Sequence, residues 1–156
     1  MSQSHSAFSY VIYLLAKRDY SEQELRQKLK LKAYSIEESD EAIARAQSLN
    51  YQSDERFCRS FIRYRALQGY GPRRLKQELQ QKGVKSWIIE QELAQCELDW
   101  FELAEHIFEK KRPTHWDVKA KQKMWRYMVS HGFYNDHFSH LLDLDYEQEE
   151  EYNDGY

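Results

Sequence analysis

Three arginines, Arg56, Arg59 and Arg63, recur at spacings of three and four. At about 100° per residue they fall within an arc of roughly 60° on a helix, opposite Phe57 and Phe61. The apolar side is expected to pack and the arginine side to look out. Arg65 follows, and beyond a Gly-Tyr-Gly turn come Arg73, Arg74 and Lys76, which are expected to face solvent around the core anchors Leu75 and Leu79. Lys82 and Lys85 extend the block, and Lys119, Lys123 and Arg126 form a further stripe at i, i+4 and i+7. A guanidinium presents a fork of donors that binds two oxygens of a phosphate or carboxylate at once. The chemistry available to these stripes is therefore the binding of anionic groups on a macromolecule, against a bland reading as solvated helix faces. Tyr64 and Tyr70 sit among the arginines; they can stack on bases or a partner, and tyrosine at such spacings also serves as half-buried packing.

Other chemistry has less support. The chain contains no G-x-x-x-x-G-K-[ST], G-x-G-x-x-G, H-E-x-x-H or C-x-x-C, so the motifs that cradle phosphates, bind dinucleotides or hold catalytic zinc are missing. No nucleophile pairs with a base. Asp136, His137 and His140 can share a helix face, but a third strong metal ligand is not evident. No catalytic residue, cofactor or metal is expected. Cys58 and Cys96 lack metal-ligand spacing and read as reduced packing residues of a cytoplasmic protein. Trp87, Trp100, Trp116 and Trp125 read as core or inter-repeat packing.

The elements that must position these groups follow from composition and periodicity. The 156 residues are 41% hydrophobic and 15% aromatic, with only 5 Gly and 2 Pro. That is too apolar for a disordered chain and too poor in turn formers for a many-stranded β protein. No apolar run approaches a membrane span, and the first residues lack the basic start and cleavage site of an export signal. The net charge of -3 conceals segregation. Residues 56–85 carry nine bases against Glu78, and residues 110–131 carry seven against Asp117. Residues 86–109 and 143–156 each carry seven acids and no base. Such blocks set orientation toward a polyanion as well as attraction.

Shifting the chain by fifty positions aligns residues 12–32 with 62–82, with seven of 21 positions identical. A shift of 49 places Leu75, Leu79, Gly83 and Val84 on Met124, Met128, Gly132 and Phe133. The reading is an all-α protein of three tandem three-helix repeats in an elongated, curved arrangement. The repeats span 1–51, 52–96 (the basic one) and 97–144, and 145–156 form an acidic, flexible tail. Ser21 with Glu24, and Ser35 with Glu38, are capping boxes that open helices. Ser53 to Glu55 open another, Pro72 suits the first turn of the next, and Gly69 and Gly71 are expected to supply positive φ at the turn between them.

The string Asp19-Tyr20-Ser21 with Glu24-Leu25 and Lys28-Leu29 resembles the D-Y-S-x-x-E-L-x-x-K-L signature of the RecX family. A second match runs through Asp54-Glu55-Arg56-Phe57, Phe61-Ile62, Gly69-Tyr70-Gly71-Pro72-Arg73-Arg74-Leu75, Glu78-Leu79 and Lys82-Gly83-Val84. It is similar to that family's second-repeat pattern. Ala33 departs from the glycine usual at the end of the second helix, Ser39 from an apolar residue, and Asn50 to Ser53 from a glycine-led turn.

The resemblance implies a regulator that binds the RecA recombinase and its DNA filament and inhibits ATP hydrolysis, filament extension and strand exchange. It supplies no catalytic site. Single- and double-stranded DNA, bound with weak sequence preference, are the secondary partners expected; no membrane partner is expected, and the chain is read as a monomer. Groove lining and end capping of the filament are both open. The competing class is a helix-turn-helix-like DNA-binding protein or transcription regulator, which usually dimerises over a palindrome.

Overall fold

The computed structural model describes residues 5–144. Among these the chain is helical throughout and contains no strand. The helices are α1 (Ala7–Leu15), α2 (Glu22–Leu31), α3 (Ile36–Ser48), α4 (Asp54–Leu67), α5 (Pro72–Gln81), α6 (Ser86–Gln95), α7 (Trp100–Lys111), α8 (Val118–Ser130) and α9 (Asn135–Leu142). The acidic segment 145–156 lies outside the described residues.

Most helix starts are determined within four residues. Ser21 Oγ accepts the Glu24 N–H at 3.1 Å while the Glu24 carboxylate accepts the Ser21 N–H at 3.0 Å. Ser35 and Glu38 repeat the exchange at 3.1 and 3.3 Å. Each box satisfies two donors that a helix N-terminus otherwise leaves open. Ser53 caps α4 through the Arg56 N–H, Asp99 caps α7 through Glu102, and Asp117 caps α8 through Ala120.

The helix ends carry the period. Ala33, Gly83 and Gly132, at corresponding positions of the sequence repeat, all take left-handed conformations, with φ of 65°, 81° and 95°. In each case the following N–H returns to a carbonyl one turn back: Tyr34 to Leu29 at 3.1 Å, Val84 to Leu79 at 3.1 Å and Phe133 to Met128 at 3.2 Å. This closure satisfies carbonyls the helix end would otherwise leave unpaired. The side chains obey the same register, since Leu25 and Leu29, Leu75 and Leu79, and Met124 and Met128 are all buried.

Packing divides the described residues into two compact units, 5–63 with 77–96, and 64–76 with 97–144. In the first, α1, α2 and α3 enclose Val11, Leu14, Leu25, Leu29 and Ile43. In the second, α7, α8 and α9 enclose Phe108, Met128, Phe133 and Phe138. Burying one such side chain contributes about 1.5–3 kcal/mol.

Within each unit the start of one repeat's second helix is joined to the end of the next repeat's second helix. In the first unit, Ser21 Oγ donates to Lys82 O at 2.8 Å and Gln23 Nε2 to Gln81 O at 2.8 Å. In the second, Gly71 N–H donates to His131 O at 2.7 Å and Arg73 N–H to Gly132 O at 2.9 Å. The two joints occupy equivalent positions of the repeat.

Three expectations need correction. Gly71 is not in the left-handed region; only Gly69 of that pair is, at φ 98°. What Gly71 supplies is space, because a Cβ there would stand 2.6 Å from the Gly132 carbonyl. Trp87 and Trp125 are 56% and 43% exposed, and of the four tryptophans only Trp116 is buried. The buried face of α6 is carried by Ile88 and Ile89, one and two positions beyond Trp87, while Trp125 Nε1 donates to Asn135 Oδ1 at 3.0 Å. Arg73 and Arg74 are half-buried, not solvent-facing, as the joint above requires. Cys58 and Cys96 are both free thiols. Burial, helped by the negative charges of Glu92 and Asp54, pushes the Cys58 thiol up to about 12.

Candidate partner-binding surface

The basic residues sort into two groups, those that bond to other groups of the chain and those that make no ion pair among the described residues. Arg56 belongs to the first. Its guanidinium donates to Asn50 O at 3.0 Å and Tyr51 O at 2.9 Å and pairs with Asp19 at 3.3 Å. It thereby holds the turn after α3, where Asn50 is left-handed. Arg59 reaches across to α6 and pairs with Glu92 at 2.9 Å. Glu92 is only 2% exposed, so Arg59 neutralises a buried carboxylate. Lys82 pairs with Glu24 at 3.1 Å and lies over the Phe61 ring.

In the second unit, Arg73 Nη2 donates to Val129 O, and Arg74 Nη1 donates to Ser130 O at 3.3 Å. Both cations therefore sit at the carbonyl end of α8, where the helix dipole favours positive charge. Tyr70 stacks on His131 with centroids 5.3 Å apart, and the guanidinium groups of Arg65 and Arg74 stand 4.0 and 4.2 Å from its ring. Lys76 of α5, expected to face solvent, is half-buried as well.

The remaining candidates are exposed. Arg63 and Lys85 in the first unit, and Lys119, Lys123 and Arg126 in the second, make no ion pair among the described residues. Tyr64 is 63% exposed. A charged side chain with no internal partner keeps its hydration until a partner replaces it, so these residues are available for binding.

Sequence reasoning missed two concave features of the second unit. Lys119 and Lys123 border a groove of about 480 Å³ floored by Ala120, Met124 and Tyr127. A separate hollow of about 690 Å³ is lined by Glu97, Asp99, Glu102, Glu105 and Glu109. The charge blocks signalled both, but which residues converge depends on how α7 and α8 are placed. No cluster of three or more metal-ligating side chains exists among the described residues, and no helix among them is long and apolar enough to cross a membrane.

These features define an all-helical protein of tandem three-helix domains whose polar chemistry is ionic. Comparison with known proteins makes the class particular. Residues 7–45 match the first three-helix domain of RecX and residues 53–93 the second. The chain is 65% identical over 147 residues to the Regulatory protein RecX of Actinobacillus pleuropneumoniae serotype 5b (strain L20), covering 94% of this chain and 97% of that protein. It is 60% identical to the Regulatory protein RecX of Haemophilus ducreyi, with 90% and 93% covered. A crystal structure of regulatory protein RecX superposes with a TM-score of 0.75 at 21% identity, covering 88% of this chain and 72% of that one. The structure of RecX from Lactobacillus salivarius gives 0.71 at 20% identity, covering 89% and 96%. The chain belongs to the RecX family of regulatory proteins, which are not enzymes.

Proposed function

We propose that this protein is a cytoplasmic regulator that binds the RecA recombinase and its DNA filament and restrains ATP hydrolysis, filament extension and strand exchange. Family membership supports the partner. The exposed stripe of Lys119, Lys123 and Arg126, together with Arg63 and Lys85, supports the mode, an ionic contact with acidic side chains and DNA phosphates. Arg56, Arg59 and Lys82 in the first unit, and Arg73 and Arg74 in the second, contribute indirectly, each by fixing helices of its own unit. The three-repeat organisation suits contact with several filament subunits at once, since linked weak contacts add through effective concentration.

The test is ATP hydrolysis by the cognate recombinase on single-stranded DNA as this protein is titrated in. Wild-type protein is expected to inhibit, and a Lys119→Glu, Lys123→Glu, Arg126→Glu variant to need at least tenfold more protein. Inhibition far below stoichiometry corresponds to end capping, and inhibition only near saturation to groove lining. Unchanged inhibition by the variant removes the stripe from the contact, and no inhibition by wild type removes the regulatory reading.

A further inference from the structure

The groove beside α8 combines two properties. Its floor is apolar, formed by Ala120, Met124 and Tyr127, and Lys111, Lys119 and Lys123 stand around it. Asp117 also borders the groove, but its carboxylate is engaged by the Ala120 N–H at 2.8 Å and by His115 at 3.2 Å. A complementary ligand must bring carboxylates or phosphates and apolar groups together on one short segment.

The sequence contains such a segment directly after the described residues, and α9 ends beside this place. Trp116 Nε1 donates to Leu142 O at 3.4 Å, so α9 ends against the stretch that holds Pro113, His115 and Asp117 in the groove wall. Residues 145–156, Asp-Tyr-Glu-Gln-Glu-Glu-Glu-Tyr-Asn-Asp-Gly-Tyr, contain six acids, three tyrosines and no base. Twelve extended residues reach about 40 Å, whereas the stretch of α8 from Lys119 to Arg126 is only about 10 Å long. A short covalent link supplies an effective concentration of order millimolar.

We propose that residues 145–156 dock in this groove of their own chain, with tyrosine on the apolar floor and glutamates at Lys119 and Lys123, as an internal competitor for external anions. The competition deepens the function proposed above and rests on it; the docking does not, and it is tested without recombinase or DNA. The probe is a fluorescein-labelled synthetic peptide of residues 145–156, followed by anisotropy at low salt. The proteins are the full chain and a full-length variant with Glu149→Gln, Glu150→Gln, Glu151→Gln and Tyr152→Ser. The variant, whose own segment no longer fills the groove, is expected to bind the peptide at least fivefold more tightly than wild type. Adding Lys119→Glu and Lys123→Glu to that variant is expected to weaken binding at least tenfold, with unchanged circular dichroism. Equal binding by wild type and the tail variant overturns the proposal, as does insensitivity to the two lysine changes. Binding of a thymidine oligonucleotide but not the peptide by the tail variant likewise overturns it and makes the groove a nucleic-acid site.

Discussion

Ala33 shows how a single position departs from its repeat. Gly83 and Gly132 occupy the equivalent left-handed turns, where a residue without Cβ is unstrained, but Ala33 holds φ 65°. An L-residue in that region costs about 1–2 kcal/mol, and glycine's extra unfolded-state freedom returns about 0.5–1 kcal/mol. Ala33→Gly is therefore expected to stabilise the protein by about 0.5–1 kcal/mol in urea denaturation. A loss of stability would mean that the turn is held by Ala33 contacts outweighing its strain. Asn50, at φ 61°, is better suited because its short polar side chain tolerates this conformation. Arg59 and Arg63 give a second contrast at this scale. Arg59→Gln leaves Glu92 buried without its cation and is expected to lower the thermal midpoint, with partial recovery when Glu92→Gln is added. Arg63→Gln, which breaks no ion pair among the described residues, is expected to leave the midpoint unchanged. Equal midpoints for Arg59→Gln and Arg63→Gln would show that the buried pair adds nothing.

At the scale of elements, the first capping box is tied to the first joint through Glu24. Burial pushes its carboxyl up, but the Ser21 N–H together with Lys82 and Arg18 outweighs that and holds it below its ordinary 4.5. A carboxyl lowered in the folded state adds stability in full above its unfolded value and loses it as pH falls through the folded one. Glu24→Gln is expected to cost about 1 kcal/mol near neutral pH, the usual worth of a cap, with the gap to wild type closing below about pH 4.5. A gap of constant size across that range would show that the charge on Glu24 is not what stabilises the box. This box was legible in the sequence because its partners lie three residues apart, and the helix ends were legible because glycine and hydrophobic period mark them. The roles of Arg73 and Arg74 were not, because their acceptors, Val129 and Ser130, lie 56 residues further on. Local spacing puts both arginines on a polar face; only the neighbouring repeat turns that face into a joint. Trp87 and Trp125 illustrate the opposite error, since bulk and apolarity suggested packing while the register of their helices leaves both exposed.

Across the whole molecule, charge sign is segregated although the net charge is only -3. The acids of residues 97–109 border one hollow, and the exposed cations of α8 border another surface. A chain of negative net charge can therefore still bind a polyanion, provided that the contact is confined to the cationic surface. Such binding has a measurable signature. Each phosphate neutralised on single-stranded DNA contributes roughly 0.7 to the slope of log affinity against log salt. If Lys119, Lys123 and Arg126 each meet one phosphate, replacing all three with Gln is expected to reduce that slope by about 2. The loss should be the same for oligonucleotides of different sequence, because phosphate contacts carry no base information. Replacing Arg63 and Lys85 in the same assay asks whether the first unit shares the contact, and a further drop of about 1 to 1.5 in slope is expected if it does. An unchanged slope in the triple variant would assign these cations to protein carboxylates instead. A loss that varied with sequence would favour the helix-turn-helix mode, in which base edges are read directly.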